Sequence, residues 1–529
     1  MLFAILTGIL GLLIYFKIVK HQKYWEEKGV ACVKPWPIVG SMGPLVFNKK
    51  SLAEIIQDIY NVFPEKRCVG FHQWFKPVLM IRDPELIKQI MVKDFDTFPG
   101  HPLSAPEGID PLWDKNLINI TENSRWHDLR AILSQSFSSS KMKAMFSLIR
   151  DCAKQVTNHF LKQNKIVTID AKVTFTKFTN DAIGTTAFGV TCNSFANPEN
   201  EFYKMGQRAA NFSSVRGFII FFAYSISPTL MKLSKISMIP KSVANFFRGL
   251  IKETTRTREE EGIVRPDMIH LLMEAQKRYL KYDDRDLENS SIAGAEKREF
   301  GRTQQKRIEI TDEVITSQAI GFFIAGFDTT STFMSFISYE LAVNPDVQQR
   351  LIDDIDTTLE ECNGDITYEA LMAMKYLDMV VSETLRKWPS TVFTDRGSFR
   401  DYVIQPKLSG EQPIYVDAST TIWIPTYAIH RDPQYYPNPD KFDPERFSEE
   451  NKNDIKPFTY LPFGAGPRNC IASRLAILEA KICIFEILTK FEIVPVEETQ
   501  IPLVLRKGGV FLQTEEDMWV GFKPRVEIQ

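Results

Sequence analysis

The residues best suited to chemistry in this chain surround one cysteine near its C-terminus. The segment reads FGAGPRNCIA from Phe463 to Ala472, and a stretch without proline or glycine follows as far as Thr489. Glycine and proline shape a tight loop, and Arg468 adds a permanent cation beside the sulfur. At the start of the predicted helix, the dipole and free N–H groups would stabilise Cys470 as a thiolate. The pattern indicates a metal-ligating thiolate, whereas a cysteine without such neighbours is more often a small core residue.

A second polar group interrupts a long apolar stretch upstream. No proline occurs from Thr311 to Asn344, which predicts one helix of roughly 50 Å. Near its middle lie Gly326, Asp328 and Thr329. Taken alone, this group is either a structural interruption, in which threonine hydroxyls bond to helix carbonyls, or a site of proton chemistry.

Together the two groups resemble the signatures of the cytochrome P450 monooxygenases. The resemblance implies that Cys470 is the axial thiolate ligand of haem b and that Phe463 borders the haem. It also implies that Thr329 and Asp328 deliver protons for oxygen activation. Ala472 departs from the pattern, since the family usually has glycine there, and we expect its methyl group to tighten the fit against the haem.

A third motif consists of Glu383 and Arg386, which would share one helix face. Exposed pairs at this spacing usually stabilise a helix by only a few tenths of a kcal/mol. The resemblance joins this pair to Arg446, in the sequence PERF, as a buried network on the cysteine side of the haem. We expect these three residues to be structural, so that replacing any one costs haem retention before it changes chemistry.

A fourth motif places two hydrogen-bond donors, Trp126 and Arg130, four residues apart. By resemblance they bind the haem propionates together with Arg396 and Arg468. Without the other motifs, Trp126 and Arg130 would be an ordinary cation–π or core-edge pair. Relatives often carry arginines in the loop corresponding to residues 101–115, and this chain has none, which leaves one propionate contact unassigned.

Composition is consistent with one large catalytic unit. The chain has 529 residues, a net charge of -2 and 12% aromatic residues, so nothing calls for a nucleic-acid partner. Seven scattered cysteines do not form a disulfide framework and indicate a reducing compartment. The pattern is mostly helical, with strand-like runs at residues 77–81 and 404–424, which predicts a mainly α fold with small β-sheets. By resemblance this is the cytochrome P450 fold.

The N-terminal residues predict membrane attachment. We divide the chain into a transmembrane signal anchor (1–20), a basic and proline-rich hinge (21–45) and the haem-thiolate monooxygenase domain (46–529), which contains a charged flexible loop (277–307). A cleaved signal peptide is the alternative for the first segment, but a basic n-region and a small-residue cleavage site are lacking. Basic residues after the anchor put the catalytic domain on the cytoplasmic face, and the resemblance places it at the endoplasmic reticulum. The apolar patch 217–224 is either core or in contact with lipid.

The implied reaction inserts one oxygen atom of dioxygen into a lipophilic small molecule such as a xenobiotic, a steroid or a fatty acid. A flavin-binding region does not fit in the chain, so electrons must come from a partner, expected to be an NADPH-dependent diflavin reductase, with cytochrome b5 as a further candidate. Lys481 and Lys490 are candidates for the docking surface. Residues 101–115, Phe322 and Phe323, 390–393 and 510–512 are expected around the pocket.

Two alternatives use the same fold. A peroxide isomerase or dehydratase would need no reductase, and a non-catalytic haem-binding protein would need neither reductase nor substrate. The presence of Asp328 and Thr329 argues against the isomerase, because that reaction has no need of delivered protons.

Overall fold

The computed structural model describes residues 22–525, except 103–107, 109, 164, 212–222, 224–232, 234–235, 266 and 278–308. The predicted anchor (1–20), nearly all of the apolar patch 217–224, and the charged loop 277–307 apart from Lys277 lie outside the described residues. These features, and the domain boundaries that depend on them, stay predictions.

Helices make up most of the described part of the chain. The longer ones are α1 (Leu52–Val62), α2 (Asn123–Ser134), α3 (Ser139–Leu161), α4 (Ala171–Ile183), α5 (Glu201–Ala210), α6 (Lys241–Glu260), α7 (268–277), α8 (Asp312–Val343), α9 (Pro345–Glu361), α10 (Tyr368–Ala373), α11 (Lys375–Lys387) and α12 (Ser473–Leu488). Single helical turns occur at Pro84–Lys88, Pro111–Asp114 and Thr426–Ile429.

The strands form three small sheets. They are β1 (Cys68–Gln73), β2 (Lys76–Ile81), β3 (Val167–Asp170), β4 (Thr394–Gly397), β5 (Tyr402–Ile404), β6 (Ile414–Val416), β7 (Thr421–Ile424), β8 (Phe491–Val494) and β9 (Trp519–Pro524). The largest sheet has the order β1-β2-β7-β4, with β2 and β7 parallel and the other neighbours antiparallel. A second sheet has the order β3-β9-β8, and β5 pairs with β6. The predicted fold class, mainly α with small sheets, is confirmed.

Helix α8 belongs to two separate hydrophobic cores. Its first half, including Ile320 and Phe323, lies in the smaller core with residues of α2, α5 and α6. Its second half, including Phe333 and Ile337, lies in the larger core with α3, α11, α12 and the sheets. Asp328 falls between the two cores, where its side chain remains 35% exposed, so the carboxylate is not fully desolvated.

The ends of α8 follow from local chemistry. The Thr311 hydroxyl accepts a hydrogen bond from the Val314 N–H at 3.3 Å, and Asp312 and Glu313 occupy the first turn, where the helix dipole favours carboxylates. The helix ends before Pro345, which begins α9. The helix predicted from residues 311 to 344 is therefore confirmed to within one residue at each end.

The segment that follows the predicted anchor lies against the largest sheet. Gly40 pairs with Gln73 of β1 and has a φ of 61°, in the region that favours glycine. A Cβ on Gly40 would lie 2.5 Å from the carbonyl oxygen of His72. Earlier in the predicted hinge, Trp25 is fully buried and its indole donates to the Phe71 carbonyl at 3.1 Å, so the hinge is attached to this sheet before Gly40.

Two further expectations concern cysteines and membrane spans. All seven cysteines are free, so the absence of a disulfide framework is confirmed. Within the described ranges, α8 is the one helix that is long and apolar enough to cross a membrane, and 56% of its apolar window is buried inside the protein. A buried helix at the centre of a protein core meets the same criteria of length and apolar composition, so this finding alone does not identify α8 as a membrane span.

Candidate active site

A cavity of about 510 Å³ lies where α8, α12 and the loop before α12 meet. Most of the residues predicted to bind the cofactor or take part in the reaction border it: Trp126, Arg130, Thr329, Phe463, Arg468 and Cys470. Asp328 and Arg396 do not belong to its wall. The fold thus brings together motifs that are separated by up to 344 residues in the sequence.

The loop that carries Cys470 depends on two glycines. Gly464 and Gly466 have φ angles of 70° and 71°, which other residues adopt at a cost. A Cβ on Gly466 would lie 2.0 Å from the Met91 carbonyl oxygen. The Cys470 N–H donates to the Phe463 carbonyl at 2.9 Å, which closes the loop and holds the backbone of the cysteine in place.

The ionisation of Cys470 differs from the expectation based on the helix dipole. Helix α12 begins at Ser473 with Ala472 as its N-cap, so the cysteine lies outside the helix. The thiol is exposed to the cavity but surrounded by protein. Burial raises its pKa, whereas the Ala472 N–H and the Arg130 guanidinium lower it. In the protein alone, burial outweighs the stabilisation expected at a helix terminus.

Three guanidinium groups converge on one side of the cavity. Burial and repulsion from Arg396 and Arg130 lower the pKa of Arg468 to about 9. Burial lowers the pKa of Arg396 to about 10, against the opposing effect of Asp395. The Nε atoms of Arg396 and Arg468 are both buried and have no hydrogen-bond partner among the described residues. Their other nitrogens donate to neutral oxygens, the carbonyls of Asp395 and Ala465 for Arg396 and those of Leu117 and Ile120 for Arg468, so two buried cations favour an anionic ligand nearby.

Helix α2 contributes Trp126 and Arg130 to the same part of the cavity. The Trp126 indole is 2% exposed, and the guanidinium carbon of Arg468 lies 4.3 Å from its ring centroid. Arg130 donates from Nη2 to the Asn469 side chain at 2.9 Å. The cation–π partner of Trp126 is therefore Arg468 rather than Arg130, whose guanidinium is attached to the cysteine loop.

On α8, Thr329 faces the cavity. Its hydroxyl donates to the Ala325 carbonyl at 2.5 Å, so the helix back-bond considered from the sequence is present. Gly326 also borders the cavity, and a Cβ there would lie 2.9 Å from Cδ1 of Ile183 on α4. Close packing against α4 is thus one reason for glycine at this position.

Asp328 is bound by a lysine that sequence reasoning missed. Nζ of Lys172 lies 2.8 Å from the Asp328 carboxylate and 2.9 Å from its carbonyl oxygen. The same ammonium lies 2.7 Å from the hydroxyls of Ser331 and Thr332. Asp170 positions the lysine, because its carboxylate caps α4 and accepts from the Lys172 N–H at 2.8 Å. Lys172 has no distinctive sequence neighbours, so no motif could have identified it.

Glu383 and Arg386 form a fully buried, two-point ion pair. Arg386 donates from Nε and Nη2 to the two carboxylate oxygens at 2.7 and 2.8 Å. The Asp443 N–H donates to the same carboxylate at 2.9 Å. Nε of Arg446 lies 3.4 Å from it, close enough for attraction but misaligned for a hydrogen bond. The structure thus brings the three predicted scaffold residues together.

His430 connects this scaffold to the cysteine loop. Its Nδ1 lies 3.0 Å from the Arg386 carbonyl oxygen, and its Nε2 accepts from the Leu461 N–H at 2.8 Å. These partners fix the neutral tautomer with the proton on Nδ1. Burial and the Arg386 guanidinium lower the pKa of His430 to about 3. His430 therefore joins the pair of Glu383 and Arg386 to the chain just before the cysteine loop.

Residues 110–120, which we call the roof segment, are bound on two sides. Gln318 of α8 accepts from the Leu117 N–H at 2.9 Å and donates to the Lys115 carbonyl at 2.6 Å. Arg468 donates to the carbonyls of Leu117 and Ile120 at 3.3 and 2.6 Å. The same segment therefore contacts both α8 and Arg468.

A notch in α8 also receives the roof segment. Asn116 donates from its amide to the Ser317 carbonyl at 3.0 Å, and a Cβ on Gly321 would lie 1.6 Å from that amide nitrogen. Glycine at 321 is thus required by the position of Asn116.

The expected pocket residues are confirmed in part. His101, Phe322, Ser390, Thr391 and Phe393 border the cavity. Phe323 and residues 510–512 do not belong to its wall.

Phe323 and Leu512 lie away from the cavity because each packs into a hydrophobic core instead. Phe323 packs against Phe188, Phe202 and Phe247 in the smaller core. Leu512 is buried in the larger core.

The docking role suggested for Lys481 is wrong. Its side chain is fully buried, and its ammonium lies 2.8 Å from Asp378. Lys490 is exposed, in agreement with a place on the surface.

Comparison with known proteins gives a consistent result. The family model described as "Cytochrome P450" matches residues 31–520. The chain is 43% identical to cytochrome P450 9e2 of Blattella germanica, with 96% of this chain and 94% of the relative covered. It is 37% identical to the probable cytochrome P450 9f2 of Drosophila melanogaster over 98% of both chains, and 37% identical to cytochrome P450 6k1 of Blattella germanica over 96% of this chain and 94% of the relative.

Proposed function

Because the chain belongs to the cytochrome P450 family, we propose that Cys470 is the axial thiolate ligand of its haem and that Trp126, Arg130 and Arg468 bind the haem carboxylates. The support is the convergence of one thiol and three donors on a single cavity. Arg396 lies behind the wall and would contribute positive charge from there.

The enzyme is a haem-thiolate monooxygenase that inserts one oxygen atom of dioxygen into a lipophilic small molecule. The second oxygen atom leaves as water, which requires two electrons and two protons. When bound, haem b supplies dioxygen activation, and a thiolate ligand favours cleavage of the O–O bond. The protein residues bind and orient the cofactor, exclude water and deliver protons.

The cavity fits this cofactor in charge and in polarity. The unpartnered Nε atoms of Arg396 and Arg468 are matched by the two carboxylates of haem b. Phe463, Phe322 and Leu475 form apolar parts of the wall, which suit a flat hydrophobic ring and a lipophilic substrate. We place Phe463 beside the haem, on the same wall as Cys470.

We assign proton delivery to Thr329 and Asp328. Thr329 borders the cavity, where its hydroxyl can orient a water, while the Asp328 carboxylate faces Lys172 at about one-third exposure (35%). A carboxylate in contact with solvent can take up a proton outside and release it towards Thr329 after leaving Lys172. Glu383, Arg386 and Arg446 are assigned a supporting role behind Cys470.

The electrons come from a separate redox partner. We propose that this partner is an NADPH-dependent diflavin reductase of the endoplasmic reticulum membrane, with cytochrome b5 as a second candidate. The predicted anchor and the basic residues after it support a catalytic domain on the cytoplasmic face. Lys490, which is exposed, is a candidate for the docking surface.

The test is a carbon monoxide difference spectrum of the reduced protein. Wild type and a Cys362→Ala control should both give a thiolate-type Soret band, and Cys470→Ala should lose it. A band that survives in Cys470→Ala contradicts the ligand assignment. Product formation that requires both NADPH and reductase would then exclude the isomerase and the non-catalytic haem protein.

A further inference from the structure

A row of aromatic rings leads away from the cavity towards the protein surface. Phe393, which borders the cavity, stacks on Trp423 of β7, with ring centroids 3.8 Å apart and planes at 21°. Trp423 meets Phe71 of β1 edge to face, at 5.0 Å between centroids. The Trp25 indole donates to the Phe71 carbonyl at 3.1 Å, and its ring centroid lies 4.8 Å from that of Tyr24. We call these five residues the aromatic column.

The column ends at a tyrosine that can release a proton. The Tyr24 side chain is half-buried, and its hydroxyl donates to the Asp417 carboxylate at 2.7 Å. Lys28 lies 2.5 Å from the same carboxylate. Hydrogen bonds from Lys28 and Tyr24 lower the pKa of Asp417, so it is ionised at neutral pH and can accept a proton. A phenol that loses an electron becomes strongly acidic, and its proton then passes along the existing hydrogen bond.

The two tryptophans lack such a proton acceptor. Trp423 is 1% exposed, and its Nε1 has no hydrogen-bond partner among the described residues. Nε1 of Trp25 is bonded to a backbone carbonyl, which is too weak a base to keep a proton. An indole in either position keeps its proton when it loses an electron, and it readily regains the electron from a neighbouring ring. The tryptophans are therefore suited to pass electrons on, and Tyr24 is suited to supply them.

We propose that the aromatic column carries electrons from Tyr24 to the haem site when dioxygen is activated and no substrate receives the oxygen atom. The two oxidising equivalents then left in the cavity are removed one at a time through Trp25 and Trp423, which protects the cavity wall. Phenylalanine is much harder to oxidise, so Phe393 and Phe71 fill the gaps in the column without holding a charge. This inference rests on the proposed haem site.

The electron transfer balances with a thiol as the final reductant. Each electron that leaves Tyr24 produces a neutral tyrosyl radical, because the proton moves to Asp417. A low-molecular-weight thiol such as glutathione, which keeps the cytosol reducing, returns a hydrogen atom to the radical. Two rounds deliver two electrons to the unused oxygen atom, which takes two protons from solvent and leaves as water. The two thiyl radicals join, so one oxygen atom and two thiols become water and one disulfide.

The experiment detects the radical by electron paramagnetic resonance. Ferric holoenzyme without substrate is mixed with peracetic acid, which supplies the oxidant without reductase, and is frozen within milliseconds. Wild type should show a tyrosyl signal. The signal should be lost in Tyr24→Phe, which has no phenol, and in Trp423→Phe, which has no ring that passes the electron on. In Asp417→Asn it should form more slowly, because the proton acceptor is missing.

Two aromatic residues outside the column provide matched controls. The Tyr60 hydroxyl also donates to a carboxylate, that of Asp432, at 2.7 Å. Trp388 also stacks on a phenylalanine, Phe336, with centroids 4.6 Å apart, but neither of these two rings borders the cavity. Tyr60→Phe and Trp388→Phe should keep the wild-type signal.

A second measurement tests the protective role. During incubation with NADPH and reductase but no substrate, the Soret band of Trp423→Phe should decay faster than that of wild type, and glutathione should slow the decay of wild type alone. Mass spectrometry should find more sulfoxide in the variant at Met145, which borders the cavity. Equal decay and equal oxidation in the two proteins would contradict protection by the column.

A tyrosyl signal that survives in either Tyr24→Phe or Trp423→Phe overturns the inference, and so does a signal that disappears in Tyr60→Phe. If Trp423→Phe does not fold, Tyr24→Phe decides, since it removes only the hydroxyl of a half-buried ring. A wild type without a thiolate-type Soret band defeats the proposed haem site itself. A wild type with a normal band and no tyrosyl signal defeats only the aromatic column.

Discussion

The two sides of the cavity are held in different ways. Behind Cys470, the scaffold of Glu383, Arg386 and His430 is fully buried, with hydrogen bonds at 2.7 to 3.0 Å. On the opposite side, Lys172 and Asp328 form an ion pair in which each side chain is about one-third exposed. A ligand must stay fixed, and buried polar networks fix their members. A proton carrier must exchange with solvent and change partners, which a partly exposed pair can do.

The strongest test of this difference compares the same substitution in two ion pairs. Arg386→Met leaves Glu383 buried without its partner and should cost about 3 to 5 kcal/mol of unfolding free energy, together with haem retention. Arg248 also binds a glutamate through Nε and Nη2, at 3.1 and 2.6 Å from Glu313, but its side chain is 41% exposed. Arg248→Met should cost less than about 1 kcal/mol. Chemical denaturation of the two variants provides the measurement, and equal losses would remove burial as the explanation.

On the proton side, Thr329→Val should lower product formation on the order of a hundredfold, because a group that handles protons is removed. Haem content and unfolding free energy should stay near wild type, and reducing equivalents should appear as hydrogen peroxide. Thr316→Val is the control, since its hydroxyl makes the same type of bond, to the Asp312 carbonyl at 2.8 Å. Turnover and peroxide are measured with NADPH and reductase. A loss of haem in Thr329→Val would place this residue with the scaffold instead.

The scaffold also predicts a pH dependence of stability. His430 stays neutral in the folded protein down to about pH 3, whereas the unfolded chain protonates its histidine near pH 6.5. The unfolded state therefore binds more protons below pH 6.5, and stability falls as pH falls. From about pH 6.5 to about pH 5 this amounts to roughly 1.6 kcal/mol.

The measurement compares unfolding midpoints of wild type and His430→Gln across this interval. The variant should lack this part of the acid destabilisation, and His127→Gln, on the exposed side of α2, should retain it. Parallel curves for wild type and His430→Gln would show that His430 titrates normally when folded.

The smallest expected effect is at Lys172. Lys172→Met should lower turnover only a few-fold, since a partly exposed ion pair is worth about 1 kcal/mol or less, and Lys172→Arg should restore it. Lys177→Met, on the same helix, is the control. Activity across pH at saturating reductase is the measurement. A loss as large as that of Thr329→Val would mean that the lysine itself handles protons.

The features of this molecule that could be predicted from the sequence share one property: each is determined by residues that lie close together in the chain. Glycines at 464 and 466, the three-residue spacing of Glu383 and Arg386, and the cap and length of α8 can each be recognised within a short window. The contacts that escaped prediction join ordinary residues across large distances in the chain. Lys172 and Asp328 are 156 residues apart, and Tyr24 and Asp417 are 393 apart.

The wrong expectations have a physical reason as well. A lysine on a C-terminal helix is usually solvated, but α12 is buried over most of its length, and Asp378 compensates the charge of Lys481. Phe323 follows Phe322, which borders the cavity, yet its own ring packs against Phe202 and Phe247 instead. Both outcomes depend on which neighbours the fold supplies.

The bonds of the roof segment limit how this pocket can be redesigned. The backbone carbonyls of Leu117 and Ile120 bind the arginine beside Cys470, so grafting a longer or shorter loop there would also disturb cofactor binding. Ile118 also borders the cavity, and its side chain is exposed, so it can be exchanged without touching those bonds, whereas Leu117 is buried in the smaller core. New substrate preferences are therefore best sought in libraries that keep the loop length and vary residue 118.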